Sequence, residues 1–300
     1  MIRLFHFIQF REKFMKAIFF ICAFFSIFSF CLIMIYLFIN GLPFINQIGF
    51  FNFIFGDNWA PLATNPTYGI FNMIVTTIYV TSLSTIIGGT LGVFTAIGLY
   101  KFLNKKIVKI ISQLVNLLAG IPSVIYGLFG MRFIVPFVRD YISSTGIGYG
   151  IFSTSIVLSI MILPTIVSIS LDSLNSVSSR YYEAALALGA PKEEVVFKVM
   201  VPAAKSGIFA SIILGTGRAL GETMAVIMII GGSPQLPTSL FQSVRTLTSN
   251  IAMGANELSG DALSALVASG VVLFVFSLLL NVCFSFIKDH KKGKKHVKQE

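Results

Sequence analysis

Six long apolar runs constrain this chain more than any other feature of its sequence. They cover residues 17–39, 70–99, 107–129, 151–171, 207–230 and 262–287. A helix needs about 20 mostly apolar residues to cross the hydrocarbon core of a bilayer. Only 11% of the residues are charged, whereas a soluble globular domain carries about 25%. We therefore predict an all-α membrane protein with six transmembrane helices, and we exclude a soluble domain and a disordered chain.

The distribution of positive charge predicts the orientation of these helices. Eighteen of the 22 Lys and Arg residues lie on one side. They precede the first run, lie around the connection between the second and third runs, lie between the fourth and fifth runs, and follow the sixth run. The opposite side receives only Arg132, Arg139 and Arg245. Positive residues are enriched on the cytoplasmic side of membrane proteins, so we predict that both termini are cytoplasmic. The lysine-rich C-terminal end is expected to contact anionic membrane lipid rather than nucleic acid.

This topology divides the chain into consecutive parts. We expect a cytoplasmic N-terminal segment at 1–16, a first transmembrane helix at 17–39, an external loop at 40–69, a five-helix core at 70–287 that includes a cytoplasmic loop at 172–206, and a basic cytoplasmic tail at 288–300.

The sequence carries little that would hold a cofactor. Cys22, Cys31 and Cys283 lie inside apolar runs and form no C-x-x-C pair, so we predict neither a disulfide framework nor a zinc site. The chain has no G-x-x-x-x-G-K-[ST] phosphate loop, which is the usual cradle for the phosphates of ATP. We therefore expect no metal or cofactor in this chain and no ATP hydrolysis by it.

The long cytoplasmic loop contains signals for two short helices. Ser178 or Ser179 suits the N-cap of a helix that runs to Leu188, and Gly189 suits the position after its end. Pro191 fits the first turn of a second helix, and we expect Pro202 to end or kink that helix.

One face of the first loop helix is small and apolar. It is formed by Tyr181, Ala184, Ala185 and Leu188. Such a face is unfavourable in water unless something packs on it. It either packs against other helices of this chain or receives a cytoplasmic partner.

Two charged residues lie inside the fifth apolar run. Arg218 and Glu222 are four positions apart, so on one helix they would share a face and could form an ion pair. A charge near the centre of a membrane costs about 2.5–3.5 kcal/mol on insertion scales, and such residues often line a substrate or ion pathway. The pair is therefore either a structural ion pair or part of a pathway in which Arg218 contacts an oxyanion.

Glycine and proline recur in the third run. Gly120, Pro122, Gly127 and Gly130 loosen a helix and could form a hinge or a pore-lining bend. Close packing of small residues accounts for the glycines equally well, as it does for Gly88 and Gly92 in the second run.

The cytoplasmic loop resembles the EAA loop of binding-protein-dependent ABC importer permeases. The family pattern is E-A-A-x₃-G-x₉-I-x-L-P, and this chain has Glu183-Ala184-Ala185, then Gly189, then V-M-V-P at 199–202. Valine replaces isoleucine and leucine, which is a conservative change. The resemblance implies that this segment couples to an ATPase subunit, and that the coupling residues are Glu183, Ala184, Ala185, Leu188 and Gly189. ATP and Mg²⁺ would be bound by the ATPase subunit.

Two further motifs resemble the phosphate-specific transport permeases, which are MetI-like permeases. They are G-I-P-S-V-I-Y-G-L-F-G at 120–130 and G-R-A-L-G-E-T-M-A-V at 217–226. The second motif and Trp59-Ala60-Pro61 are closer to the C-type than to the A-type subunit. The resemblance implies the type I ABC importer architecture in a bacterial inner membrane and a phosphate path at Arg218 and Glu222. It also implies a homologous sister permease, two ATP-binding subunits and a periplasmic phosphate-binding protein as partners.

Three alternatives remain open from the sequence. A permease of the same architecture could carry another oxyanion, such as sulfate, molybdate or a phosphonate. A passive anion channel would need no ATPase partner. An intramembrane enzyme is disfavoured, because no histidine lies within a predicted span and no H-E-x-x-H motif occurs.

Overall fold

The computed structural model describes the backbone of residues 2–296 and the side chains of residues 11–283. In chain order its helices are α1 (Ile2–Ile48), α2 (Phe50–Phe55), α3 (Phe71–Ile97), α4 (Lys105–Ala119), α5 (Ser123–Phe129), α6 (Val135–Tyr141), α7 (Ile151–Asn175), α8 (Ser179–Ala187), α9 (Lys192–Glu194), α10 (Val201–Gly221), α11 (Met224–Ile229), α12 (Leu247–Gly254) and α13 (Asp261–His296). Two short antiparallel strands, β1 (Trp59–Ala60) and β2 (Thr67–Tyr68), pair between α2 and α3. Three π-helical segments join neighbouring helices, and they are Gly98–Phe102, Gly130–Ile134 and Val195–Met200.

Five described helical stretches are long and apolar enough to cross a membrane, and a bent pair makes a sixth if it counts as one span. The five are Arg11–Ile48, Phe71–Phe102, Ile151–Asn175, Lys192–Gly221 and Asp261–Cys283. The predicted all-α membrane fold is confirmed, with six spans on this count. The side of the membrane that each terminus faces stays a prediction.

The first and last helices extend beyond the apolar runs that predicted them. Helix α1 includes most of the predicted N-terminal segment and the start of the predicted external loop, and α13 continues to His296 in the predicted basic tail. Lys and Gln are good helix formers, so a helix can continue after the apolar run ends. Hydropathy therefore marked the membrane crossings but not the helix ends. Residues 297–300 lie outside the described part of the chain.

The third predicted span is not one straight helix. Helix α4 and the stretch Ser123–Tyr141 form a pair that is bent by 99°. Gly120 is the C-cap of α4 and Pro122 is the N-cap of α5. Proline lacks a backbone N–H and disfavours helical geometry in the residue before it, which accounts for a break at this point.

The prediction of one helix over 207–230 in the fifth span is also wrong. The helix ends at Gly221, Glu222 has extended backbone angles, and α11 begins at Met224. Toward its other end the span is longer than predicted and covers Lys192–Gly221. Pro202 does not end it, because the proline lies in the first turn of α10, directly after a π-helical segment.

Helices α3, α7 and α10 form the packed centre of the molecule. A Cβ atom on Gly88 would lie 2.8 Å from the Ser159 carbonyl oxygen, and one on Gly92 would lie 2.8 Å from the Ile166 side chain. These glycines allow α3 to approach α7 closely, so close packing is their role in this structure. The hydroxyls of Ser170 and Ser211 are 2.8 Å apart and join α7 to α10.

Helix α1 lies along α13 and leaves much of its apolar surface uncovered. Phe38 of α1 contacts Phe274 of α13 with ring centroids 6.0 Å apart, whereas Phe20 is 73% exposed. An apolar surface of this extent is stable only against lipid or a partner. Near the C-terminal end of α1, Phe44 packs with Trp59 and Tyr68 of the strand pair in a hydrophobic cluster.

Candidate functional site

Arg218 lies in the last turn of α10. Its side chain is exposed, and within the described part of the chain it forms neither a hydrogen bond nor an ion pair. The carbonyl ends of the helix are favourable for a positive charge, but they satisfy no N–H group of the guanidinium. Arg218 is therefore free to donate several hydrogen bonds to a bound anion.

Glu222 does not pair with Arg218, so the prediction of a shared helical face is wrong. The helix ends one residue earlier, and Glu222 has φ −70° and ψ 131°. Its carboxylate Oε1 accepts a hydrogen bond of 3.1 Å from the backbone N–H of Ala225. The carboxylate thus caps the first turn of α11, where a negative charge is favourable. Each of the two charges lies at a helix end, and no ion pair joins them.

The break in the third span lies close to Arg218. The Tyr126 hydroxyl of α5 donates a hydrogen bond of 2.8 Å to the Leu118 carbonyl of α4, so it connects the two sides of the bend. Tyr126 is buried and lies within electrostatic range of Arg218. Tyr126 belongs to the 120–130 motif, but no sequence signal distinguishes it from the other residues of that motif.

The second halves of the two broken spans pack against each other. A Cβ atom on Gly127 of α5 would lie 3.0 Å from the Ala225 Cα of α11 and 2.7 Å from the Met228 sulfur. Gly127 therefore permits close packing of α5 on α11 and does not lie at the bend. Of the four candidate hinge residues, Gly120 and Pro122 are at the bend, whereas Gly127 and Gly130 lie further along the chain; movement about the bend stays a prediction.

The loop helix that carries the E-A-A pattern forms as the sequence predicts. Helix α8 begins after Ser178, its C-cap is Leu188, and Gly189 follows with φ +81°. The Gly189 N–H bonds to the Leu186 carbonyl and the Ala190 N–H to the Ala185 carbonyl, which is the Schellman pattern. A left-handed residue at this position favours glycine. Pro191 lies one residue before the second loop helix rather than inside it.

Helix α8 leaves the predicted apolar face uncovered. Tyr181 is 62% exposed and Leu188 is 90% exposed, while Glu183 and Ala184 are also exposed and Ala185 is half-buried. The alternative in which this face packs on other helices of the chain is therefore wrong for the described residues.

The opposite face of α8 is anchored to the rest of the molecule. Tyr182 packs partly buried against the cluster around Leu174 and Val196. The Lys101 ammonium lies 4.8 Å from the centre of the Tyr182 ring, a cation–π contact that joins α8 to the end of the second span. One face of helix α8 is thus packed against the rest of the chain through Tyr182, while the face with Tyr181 and Leu188 is exposed.

The described side chains contain no group of three or more His, Cys, Asp or Glu residues that could hold a metal ion. His6, His290 and His296 lie outside the described side chains. The prediction that this chain binds no metal or nucleotide of its own stays a prediction.

Most of the chain matches a known family. Residues 88–291 match the model for the binding-protein-dependent transport system inner membrane component. A probable ABC transporter permease of Bacillus subtilis, YqgH, is 37% identical over 78% of this chain and 76% of its own length. The phosphate transport system permease protein PstC of Mesorhizobium japonicum is 34% identical over 77% of this chain and 76% of its own length.

Solved structures share the fold at lower sequence identity. A structure of the inward-facing MetNI methionine ABC transporter covers 74% of this chain and 95% of its own chain, with a TM-score of 0.60 and 19% identity. A bacterial ABC transporter that imports the polysaccharide alginate covers 83% of this chain and 93% of its own, with a TM-score of 0.56 and 16% identity. These likenesses show the fold alone.

Proposed function

This chain belongs to the family of binding-protein-dependent transport system inner membrane components, and we propose that it is a permease subunit of an ATP-driven phosphate importer. The PstC relatives, which are named as phosphate transport permeases, support phosphate as the substrate. The observation that carries the proposal is the exposed guanidinium of Arg218, which has no partner within the described residues. It lies where two broken spans meet.

The chemistry of this position suits a passing oxyanion. A guanidinium presents a planar set of donors that matches the oxygens of phosphate. Broken helices with free backbone groups are tolerated inside a membrane only where protein or water satisfies them, and transporters place substrate sites at such breaks. Glu222 brings a compensating negative charge to the same segment, so phosphate binds at Arg218 without being held permanently.

The exposed side of Arg218 faces a sister permease across the phosphate path, and both chains form that path. The Tyr181–Leu188 face of α8 seats against an ATPase subunit, one on each permease, and these subunits bind ATP and Mg²⁺. A periplasmic phosphate-binding protein docks on the outer side. In this arrangement both termini are cytoplasmic, and the complex lies in the bacterial inner membrane.

The fifth span links helix α8, which we propose contacts the ATPase, to the phosphate site at Arg218. The helical stretch Lys192–Gly221 begins directly after the α8 loop and carries Arg218 in its last turn. At 1.5 Å per residue, such a helix spans about 45 Å. A push by the ATPase on α8 therefore displaces the far end of this span and alternates access to Arg218. The chain itself performs no hydrolysis.

The test is ATP-dependent uptake of radiolabelled phosphate by the complex reconstituted in proteoliposomes. We expect uptake that requires ATP and that unlabelled phosphate inhibits, while sulfate, molybdate and methylphosphonate leave it unchanged. Stronger inhibition by one of those anions would indicate a permease for another oxyanion. Uptake that is equally fast without ATP would indicate a passive channel.

A further inference from the structure

A second arginine lies outside the proposed phosphate path, in the segment between α11 and α12. Arg245 is half-buried, and two of its guanidinium nitrogens are already used. Its Nε donates to the Gly232 carbonyl at 2.7 Å and its Nη1 donates to Asn250 Oδ1 at 3.1 Å. These bonds fix the orientation of the group. Within the described residues, Nη2 has no hydrogen-bond partner.

Arg245 lines a cavity of about 340 Å³. Trp59, Asn250 and Glu257 line the same cavity, together with apolar residues of the strand pair and α12. One water molecule occupies about 30 Å³ in the liquid, so the cavity has room for several water molecules. A small oxyanion therefore fits with room for water.

An unsatisfied donor belongs to the same cavity wall. Asn250 is only 1% exposed, and its Nδ2 has no hydrogen-bond partner within the described residues. A buried donor without a partner costs about 1–3 kcal/mol. Burial also lowers the pKa of Arg245, while the neighbouring Glu257 carboxylate raises it. An acceptor ligand in the cavity would stabilise the Arg245 guanidinium, and a small shift of the Asn250 side chain would let its amide donate to the same ligand.

The wall combines the Arg245 donor with a carboxylate acceptor, that of Glu257. A fully ionised carboxylate only accepts hydrogen bonds, so it disfavours an anion that carries no proton. Phosphate at neutral pH keeps at least one P–OH group, whereas sulfate and a phosphodiester keep none. We propose that this cavity is an outer binding site for a protonated oxyanion, namely inorganic phosphate, with Arg245 as its main donor and Glu257 as the acceptor of the P–OH proton.

The position of this cavity relates it to the inner site. Thr248, three residues after Arg245, donates a hydrogen bond of 3.0 Å from its hydroxyl to the Glu222 carbonyl. A short segment thus leads from the cavity to the break in the fifth span. The inference rests on the proposed function, since the cavity would hold phosphate before it reaches Arg218.

Trp59 provides a direct readout of occupancy. It is the only tryptophan in the chain, it is 6% exposed, and it lines the cavity. Inorganic phosphate titrated into the purified full chain in detergent is expected to change Trp59 fluorescence in a saturable way. Arg245→Gln is expected to weaken apparent affinity about tenfold or more, whereas the control Arg139→Gln, at an exposed arginine that pairs with Asp140, keeps the wild-type response. No saturable response up to about 10 mM phosphate, or an unchanged response in Arg245→Gln, overturns the proposal.

The acceptor role of Glu257 is tested separately, with a variant that keeps the hydrogen bonds of Arg245. Glu257 is exposed, so Glu257→Gln leaves the fold intact. Sulfate and the phosphodiester glycerophosphocholine, which represents a lipid headgroup, are expected to leave wild-type Trp59 fluorescence unchanged. Sulfate should bind Glu257→Gln, because the amide can donate a hydrogen bond.

An equal response of the wild type to sulfate or to the phosphodiester overturns the assignment, as does a Glu257→Gln variant that still excludes sulfate. The assay involves no transport. Failure of the proposed function, seen as absent ATP-dependent uptake by the wild-type complex, is therefore distinguishable from failure of this site.

Discussion

Arg218 and Glu222 show how a membrane protein can hold two charges close together in sequence without pairing them. The chain breaks between α10 and α11, so the arginine lies at the C-terminal end of one helix and the glutamate at the N-terminal end of the next. Both positions are favourable for the charge they carry. The donors of Arg218 consequently remain available, whereas one carboxylate oxygen of Glu222 is engaged by Ala225.

Two substitutions distinguish the hydrogen bond that Glu222 accepts from the effect of its negative charge. Glu222→Gln keeps an oxygen that accepts from the Ala225 N–H, so we expect stability within a few tenths of a kcal/mol of the wild type. Glu222→Ala removes the acceptor and should lower stability by about 1 kcal/mol. Thermal denaturation of the purified chain in detergent compares the two variants. Equal midpoints for both would contradict the assigned cap.

At the scale of single residues, the sequence identified the charges but not their geometry. Spacing of four positions predicts an ion pair only if the helix continues. Gly217 and Gly221 flank Arg218 and weaken helix formation, which was the available signal for a break. Tyr126 was missed because its hydrogen bond to Leu118 depends on the bend in the third span, and hydropathy does not report a bend.

Among the elements, the contact between α3 and α7 depends on the absence of a side chain at Gly88. A Cβ atom there would meet both the Ser159 carbonyl oxygen and Ile162 Cγ1 at 2.8 Å. The backbone carbonyl cannot move aside without disturbing α7. The next residue, Gly89, has no atom within 4 Å of such a Cβ.

These adjacent glycines provide a matched pair of substitutions. Gly88→Ala is expected to destabilise the chain by about 1–3 kcal/mol, because overpacking forces side chains or backbone to shift. Gly89→Ala is expected to be neutral or to stabilise the chain by up to about 1 kcal/mol through helix propensity. Denaturation of the two purified variants in detergent measures the difference. A Gly88→Ala variant as stable as Gly89→Ala would show that the two helices are not closely packed.

The elements differ in how far sequence alone predicts them. Helix α8 was predicted closely because its signals are local: Ser178 before it and Gly189 with a positive φ after it. The fifth span was predicted as a single helix because the residues on both sides of its break are apolar, whereas Gly120 and Pro122 indicated a possible bend in the third span. Pro122 marked the position of that break, but the sequence carried no signal for its angle of 99°.

Across the whole molecule, the exposed face of α8, which carries Tyr181 and Leu188, and Arg218 lie at opposite ends of the fifth-span helical stretch. The face is open to a partner while its reverse side is held by Tyr182 and Lys101. Tyr182 packs against the cluster that includes Val196, so helix α8 and the fifth-span stretch are in contact.

Leu188→Asp tests whether this face binds the ATPase. Leu188 is 90% exposed, and burying a leucine against a partner contributes about 1.5–3 kcal/mol, so a charge there should weaken the contact strongly. We expect less ATPase to co-purify with the variant and ATP-dependent uptake to fall. Leu62→Asp is the control for co-purification alone, since Leu62 is 79% exposed in the strand pair region on the proposed outer side but lines the cavity of Arg245. Wild-type co-purification by Leu188→Asp would contradict the coupling role.

Passage of phosphate past Arg218 is tested by ATP-dependent phosphate uptake of the reconstituted complex that carries Arg218→Gln. The matched control is Arg139→Gln, because Arg139 is exposed and bonds to its neighbour Asp140. We predict that Arg218→Gln abolishes uptake while the ATPase still co-purifies with it, and that Arg139→Gln transports like the wild type. Uptake at the wild-type rate by Arg218→Gln would show that this guanidinium is not on the phosphate path.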